Sequence, residues 1–192
     1  MSDPASADND GRLARVKDAA AFRGLDIELV RRPEAGSLHE AAELLGLQPG
    51  DIVKTLVVKR PSTGSGPQST GSGAQSTGSG AQSTGSGAHP EFLFALVPGG
   101  RSISWPKLRA VVGVNKLRLP EAELAFEATG YVRGTITPIG STHDWPVFAD
   151  ESIVGRRIAM GAGSGGYSLF TQADDLIRAY GATVADITVP EA

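Results

Sequence analysis

Residues 62–89 are four copies of one heptad, reading STGSGPQ, STGSGAQ, STGSGAQ and STGSGAH. No copy carries a large apolar side chain. The period therefore cannot make a coiled-coil seam, and the copies cannot stack as a solenoid with a shared core. The surrounding stretch 61–90 contains no Asp, Glu, Lys or Arg and holds 8 of the 25 glycines. Such composition is that of a flexible coil, with a root-mean-square span of about 30 Å. Whatever folds must be built from the other 162 residues (192 less 30).

The flanks of the repeat say where it sits. Ile52 to Lys59 is rich in β-branched residues and reads as a strand, and Glu91 to Val97 reads as another, ended by Pro98-Gly99-Gly100. Two successive strands joined this way predict a β-hairpin with a long loop. Loop-closure entropy rises only logarithmically with length, so the insertion is tolerable. The expected organisation is a disordered tail over 1–10 and one domain over 11–192, interrupted by the 61–90 insertion.

Elsewhere, a helix is expected over Arg12–Phe22 and a short strand over Ile27–Val30. Ser37 and Glu40 form a capping box ahead of a helix that Gly46 stops. Ser104 is placed to cap a helix running to Val112, with Gly113 as its stop, and Pro120 to open another through Ala128. Strands are expected over 147–149, 157–160 and 167–170, with Thr171 capping a last helix over 173–180. Helices and strands mix without regular βαβ alternation. The pattern predicts an α+β or mixed α/β single domain, with a central, mixed, mostly antiparallel sheet flanked by helices.

Composition removes several chemistries. The absence of cysteine rules out disulfides, thiolate metal sites and thiol nucleophiles. With 18 basic and 21 acidic residues the net charge is -3, which does not suit a polybasic nucleic-acid-binding protein. The stretch 91–140 is locally basic, so a polyanion could still dock there. Met1–Asp10 lacks the basic and apolar regions of a signal peptide, and no apolar run reaches the roughly 20 residues of a membrane span. A cytoplasmic location, with neither DNA nor membrane as partner, is the expectation. His39, His89 and His143 show no ligand spacing, so no metal or other cofactor is expected.

Three features carry chemistry. Lys54 alternates onto the same strand face as Ile52, Leu56 and Val58, which makes it either a snorkelling edge residue or a cation placed in a pocket. Thr129–Gly140 contains three glycines and a proline, a loop whose main-chain N–H groups a ligand could approach, or else a tight turn. Gly161–Gly166 contains G-x-G-x-x-G, with Asp186 twenty positions beyond. However, Tyr167–Phe170 reads as strand where a dinucleotide site needs a helix, so a loop lining a small-ligand pocket fits better.

Four segments together resemble the YbaK/ProX family of aminoacyl-tRNA deacylases, related to the editing domain of bacterial prolyl-tRNA synthetase. They are Glu40-Ala41-Ala42 with Leu45-Gly46; Val53-Lys54-Thr55-Leu56; Thr129-Gly130-Tyr131 through Gly134, Pro138 and Gly140; and Asp150 followed by Gly161–Gly166. The resemblance implies a hydrolase that clears mischarged tRNA in trans, with the tRNA 3′ acceptor end as partner and a synthetase as a further one. It implies Lys54 as the catalytic residue. It implies Thr55, Gly130, Tyr131, Gly134, Thr135, Ile136, Pro138, Gly140, Gly161 and Gly163 as the substrate-binding set. The sequence departs from the family where the heptads replace a short hairpin turn, and where Gly161–Gly166 lacks the basic pair of the S-G-G-K-R-G loop found in relatives. The alternative class is a catalytically silent module that binds tRNA or a synthetase.

Overall fold

The structure is a computed structural model that describes residues 4–33, 35–61 and 91–191. The heptad repeat lies outside the described residues. The two strands that flank it, β2 (Val53–Lys59) and β3 (Phe92–Pro98), do form the expected antiparallel hairpin, in register from Val53–Pro98 to Lys59–Phe92.

β3 is the middle of the molecule, and its sequence explains why. All seven of its residues are buried. Phe92, Phe94 and Leu96 face one apolar cluster, while Leu93, Ala95 and Val97 face a second. A strand covered on both sides needs a continuous apolar run, not an alternation. β3 pairs in parallel with β5 (Val147–Asp150), and β5 in parallel with β8 (Thr183–Ala185). That completes a four-stranded sheet ordered β2-β3-β5-β8, with β2 on its edge.

A second, antiparallel sheet is ordered β1-β7-β6, from β1 (Glu28–Arg31), β6 (Arg157–Gly161) and β7 (Tyr167–Gln172). A single parallel bridge, Ile52 to Ala159, ties the edge of β2 to β6 and joins the two sheets. A two-stranded ribbon pairs β4 (Arg101–Ile103) with β9 (Thr188–Pro190). The mixed α/β class holds and four of the six strand pairings are antiparallel, but the strands divide among three sheets, and in the central four-stranded sheet two of the three pairings are parallel because β5 and β8 run alongside β3.

Helices cover both faces. α1 (Pro4–Phe22), α4 (Ala122–Thr129) and α5 (Ala173–Tyr180) contribute Leu13, Val16, Ala20, Ala125, Ala128 and Leu176 to the larger cluster. α3 (Trp105–Val112) sends Leu108 into the other. In α2 (Leu38–Leu45) the Ser37 half of the capping box forms, with the Glu40 N–H donating to Ser37 Oγ (3.1 Å); the Glu40 carboxylate accepts instead from the Gly36 N–H (2.7 Å), one residue earlier, and Gly46 closes the helix. Among the described residues no helix is long and apolar enough to cross a membrane.

Some local readings change. α1 starts at Pro4, so part of the stretch read as a tail is helical. Ser104 occupies the N-cap position of α3 without a side-chain capping bond. Thr171 does not cap α5: β7 runs two residues further than expected, Gln172 takes the N-cap position, and the Thr171 hydroxyl donates to Asp26 O (2.8 Å). α4 opens at Ala122, after Pro120.

Candidate functional site

The site is set by a gap between the two sheets. Gly99 N–H donates to Ile52 O (2.8 Å), so the even-numbered residues of β2 turn their backbone groups toward β3. Lys59 exchanges bonds with Arg118 on the opposite side (2.8 and 3.2 Å), so the odd-numbered residues turn theirs outward. β2 meets β6 only at the Ile52–Ala159 bridge. Beyond it the outer edge of β2, at Thr55 and Val57, borders a cavity of about 510 Å³. That volume suits a small ligand.

Ser37, Leu38 and Ala41 of α2 wall the cavity on one side, and Leu119, Pro120 and Ala125 on another. Ile52–Val57 form its floor, with Arg133, Gly134, Ile136 and Ala159–Gly161 opposite. Three cations, Arg32, Lys54 and Arg133, are in the lining, and among the described residues no Asp, Glu, His or Cys is. Arg32 is fixed by Nε donation to Ser168 Oγ (2.8 Å), whereas Arg133 is exposed at the rim.

Lys54 lines the cavity, on the strand face it shares with Leu56 and Val58. Its ammonium donates to Arg101 O (2.7 Å) and to Glu191 Oε1 (2.5 Å). That bond holds the Glu191 carboxyl below the ordinary carboxylate range. Neighbouring Thr55 points to the other face, with Val53 and Val57, and is 8% exposed. Its hydroxyl oxygen has neither solvent contact nor a hydrogen-bond partner. An unpaired buried hydroxyl is unfavourable by about 1–3 kcal/mol, and a one-step χ1 rotation would exchange its place with the methyl.

The glycine-rich segments divide. Gly134, Ile136 and Gly161 line the cavity with Lys54 and Thr55. Gly130, Tyr131, Thr135, Pro138, Gly140 and Gly163 are not in its lining. Of these, Gly140 and Gly163 lie against Tyr131, whose ring is fully buried. The Tyr131 hydroxyl donates to Ile139 O (2.9 Å), and the Arg15 guanidinium stacks on the ring at 4.6 Å. Burial raises the Tyr131 pKa, against the lowering influence of Arg15 and Arg12.

Gly163, at φ +77°, lies so close that a Cβ there would sit 2.5 Å from Tyr131 Cε1. A Cβ on Gly161 would meet the Thr135 and Ile136 carbonyls at 2.6 Å. Gly163 N–H donates to Thr135 O (2.8 Å). The two glycine-rich segments are thus bolted to each other, and only their near edge reaches the cavity. Gly166 leads directly into β7, so no helix N-terminus follows the G-x-G-x-x-G run, as its sequence indicated.

Three contributors have no signal in the sequence. Glu191 and Arg101 reach Lys54 from 137 and 47 positions away. The wall at Leu119–Pro120 comes from an irregular segment without a motif. Among the described residues no group of three or more His, Asp or Glu side chains could hold a metal ion.

Residues 32–179 match the family model described as an aminoacyl-tRNA editing domain. The chain belongs to this editing-domain family. A relative from Enterococcus faecalis, named "Putative Cys-tRNA(Pro)/Cys-tRNA(Cys) deacylase EbsC", is 25% identical over 156 residues, covering 81% of this chain and 79% of the relative. A proline–tRNA ligase of Thermosipho africanus is 28% identical over 115 residues, which are 60% of this chain but 16% of that enzyme. A crystal structure described as a putative trans-editing enzyme for prolyl tRNA synthetase superposes with a TM-score of 0.72 at 23% identity, covering 100% of both chains, which establishes the shared fold. The cavity of this editing domain lies within the matched span, and Lys54 with it.

Proposed function

We propose that this editing domain is a trans-acting aminoacyl-tRNA deacylase, with Lys54 as its catalytic residue. The observation that carries the reading is the cavity, whose described lining residues include three cations and no carboxylate, with the buried, unpaired hydroxyl of Thr55 beside it. A cationic, largely apolar recess suits the acylated end of a polyanion. A synthetase pocket discriminates weakly against a smaller amino acid, so a second hydrolytic site restores fidelity.

In the proposed reaction a water oxygen adds to the ester carbonyl. The bond between the acyl carbon and the ribose oxygen breaks, and that oxygen leaves with a proton. Free amino acid and tRNA with a free terminal hydroxyl result. Among the described residues the cavity lining holds no carboxylate or imidazole to act as general base. The attacking water would be oriented by the substrate, for instance by its free ribose hydroxyl. An aminoacyl ester is already activated, so positioning and carbonyl polarisation suffice.

Lys54 would orient the ester through its ammonium. In the 134–138 segment Thr135 N–H is committed to Val132 O (3.1 Å) and Pro138 has no N–H, which leaves Gly134 and Ile136 as the cavity-side main-chain donors. Leu38, Ile52, Val57, Ile136 and Met160 suit a small uncharged amino-acid side chain. A panel of tRNAs mischarged with alanine, cysteine, serine or threonine ranks the substrates.

The test is Lys54→Ala. Loss of turnover on a mischarged tRNA with an unchanged melting curve supports the assignment, and full activity refutes it. Binding of tRNA by the unaltered protein without release of amino acid would instead indicate the catalytically silent module.

A further inference from the structure

The Lys54 ammonium has two acceptors, and both belong to the β4–β9 ribbon. Arg101, whose carbonyl accepts one bond, pairs with Pro190. Glu191, which accepts the other, follows β9 directly and donates its own N–H to Gly100 O (2.9 Å). Ser102, from the same ribbon, donates to Glu191 Oε1 (3.3 Å) and restricts the carboxylate further.

The ribbon is fastened to the core. Arg101 Nε donates to Thr188 Oγ1 (2.5 Å), and Thr188 Oγ1 donates to the buried Asp150 carboxylate (2.7 Å). Asp150 also accepts from Ile187 N–H (3.2 Å). From outside, Lys107 Nζ reaches Asp186 and Thr188 O. Of these groups Asp186, Ile187, Thr188 and Glu191 lie past residue 179, where the family match ends, and their partners Arg101, Ser102, Lys107 and Asp150 lie within it.

We propose that Glu191 is a positioning residue for deacylation. It is not in the cavity lining, so it acts through Lys54, and the inference rests on the reading of Lys54 given above. A lysine side chain carries about 2 kcal/mol of rotamer entropy. Two acceptors on a rigid ribbon remove that freedom before substrate arrives, and a misplacement of about 1 Å at a reacting centre can lower the rate on the order of 100-fold. The pair is half-exposed, with side chains 30% and 42% accessible, so its share of folding stability is small. Positioning and structure therefore separate by experiment.

Deacylation of a mischarged tRNA would be measured for Glu191→Ala, Glu191→Gln, Lys54→Ala and the Lys54→Ala/Glu191→Ala double variant, alongside their melting temperatures. Glu191→Ala should lower kcat by about 10–100-fold with KM within about twofold and Tm within about 1 °C. Gln, a neutral acceptor, should recover part of the loss. The double variant should be no slower than Lys54→Ala. A wild-type kcat in Glu191→Ala beside an inactive Lys54→Ala overturns the role of Glu191 and leaves that of Lys54 standing. A change confined to KM also overturns it, by placing Glu191 in contact with substrate. Wild-type turnover in Lys54→Ala removes both.

Discussion

Thr55→Val should make this protein more stable and less active. Thr55 is buried on β2, and its hydroxyl oxygen has no hydrogen-bond partner and no solvent contact. Leaving such a group unpaired destabilises the fold by about 1–3 kcal/mol. Valine keeps the β-branched shape that suits a strand and substitutes a methyl for the hydroxyl. Folding stability should rise by about 1–2 kcal/mol, which for a domain of this size moves Tm upward by about 3–6 °C. Differential scanning calorimetry measures this, and a urea titration should show a higher midpoint with an unchanged slope. On a mischarged tRNA, kcat/KM should fall about 5–10-fold, the equivalent of one hydrogen bond to the substrate. A Tm that falls or stays put would show that the hydroxyl is already satisfied in the free protein. A raised Tm with unchanged deacylation would leave Thr55 as a packing defect with no part in binding.

Two further substitutions test the scaffold around the cavity. Gly163→Ala puts a Cβ 2.5 Å from the Tyr131 ring at φ +77°, and should destabilise by about 2–4 kcal/mol, read as a lower Tm. Burial pushes the Asp150 pKa up, but bonds from Ser152 and Thr188 and from the Ser152 and Ile187 N–H groups outweigh it, and the carboxyl ends below its ordinary range. The folded value is then lower than the unfolded one near 4, so this stabilisation is complete above pH 4 and is lost as pH falls through the folded value. Urea midpoints measured from pH 6 down to pH 2 should show the loss, and Asp150→Asn should flatten that dependence.

How much of this was legible depends on whether a signal was local. The β2–β3 hairpin could be read across the heptads because five of the seven residues of β2 and all seven of β3 are apolar or β-branched. The Ser37–Glu40 pattern is four residues long, and its Ser37 cap forms as read, while the Glu40 carboxylate takes the Gly36 N–H. By contrast β4, β8 and β9 have three residues each, too few to display a period of two. Alternation placed Lys54 on the face of Leu56 and Val58, but nothing near it in sequence announces Glu191. The glycine loops show the same limit in another form. Glycine reports a close approach without saying of what. At Gly163 the approaching group is the Tyr131 ring, and at Gly161 it is the 135–136 backbone.

These placements bear on how an editing domain of this kind can work. Among the described residues the cavity lining includes no histidine or carboxylate, and its one lysine is already hydrogen-bonded. On the proposed reading, rate enhancement then comes from holding an activated ester still, and not from an acid–base pair. Catalysis by position is sensitive to whatever fixes the positioned group. Here that is a ribbon anchored through Thr188 to Asp150 and closed by β9, which lies outside the span matched by the family model. A piece trimmed to residues 32–179 would keep every residue of the cavity lining, and it would lose the carboxylate that holds Lys54.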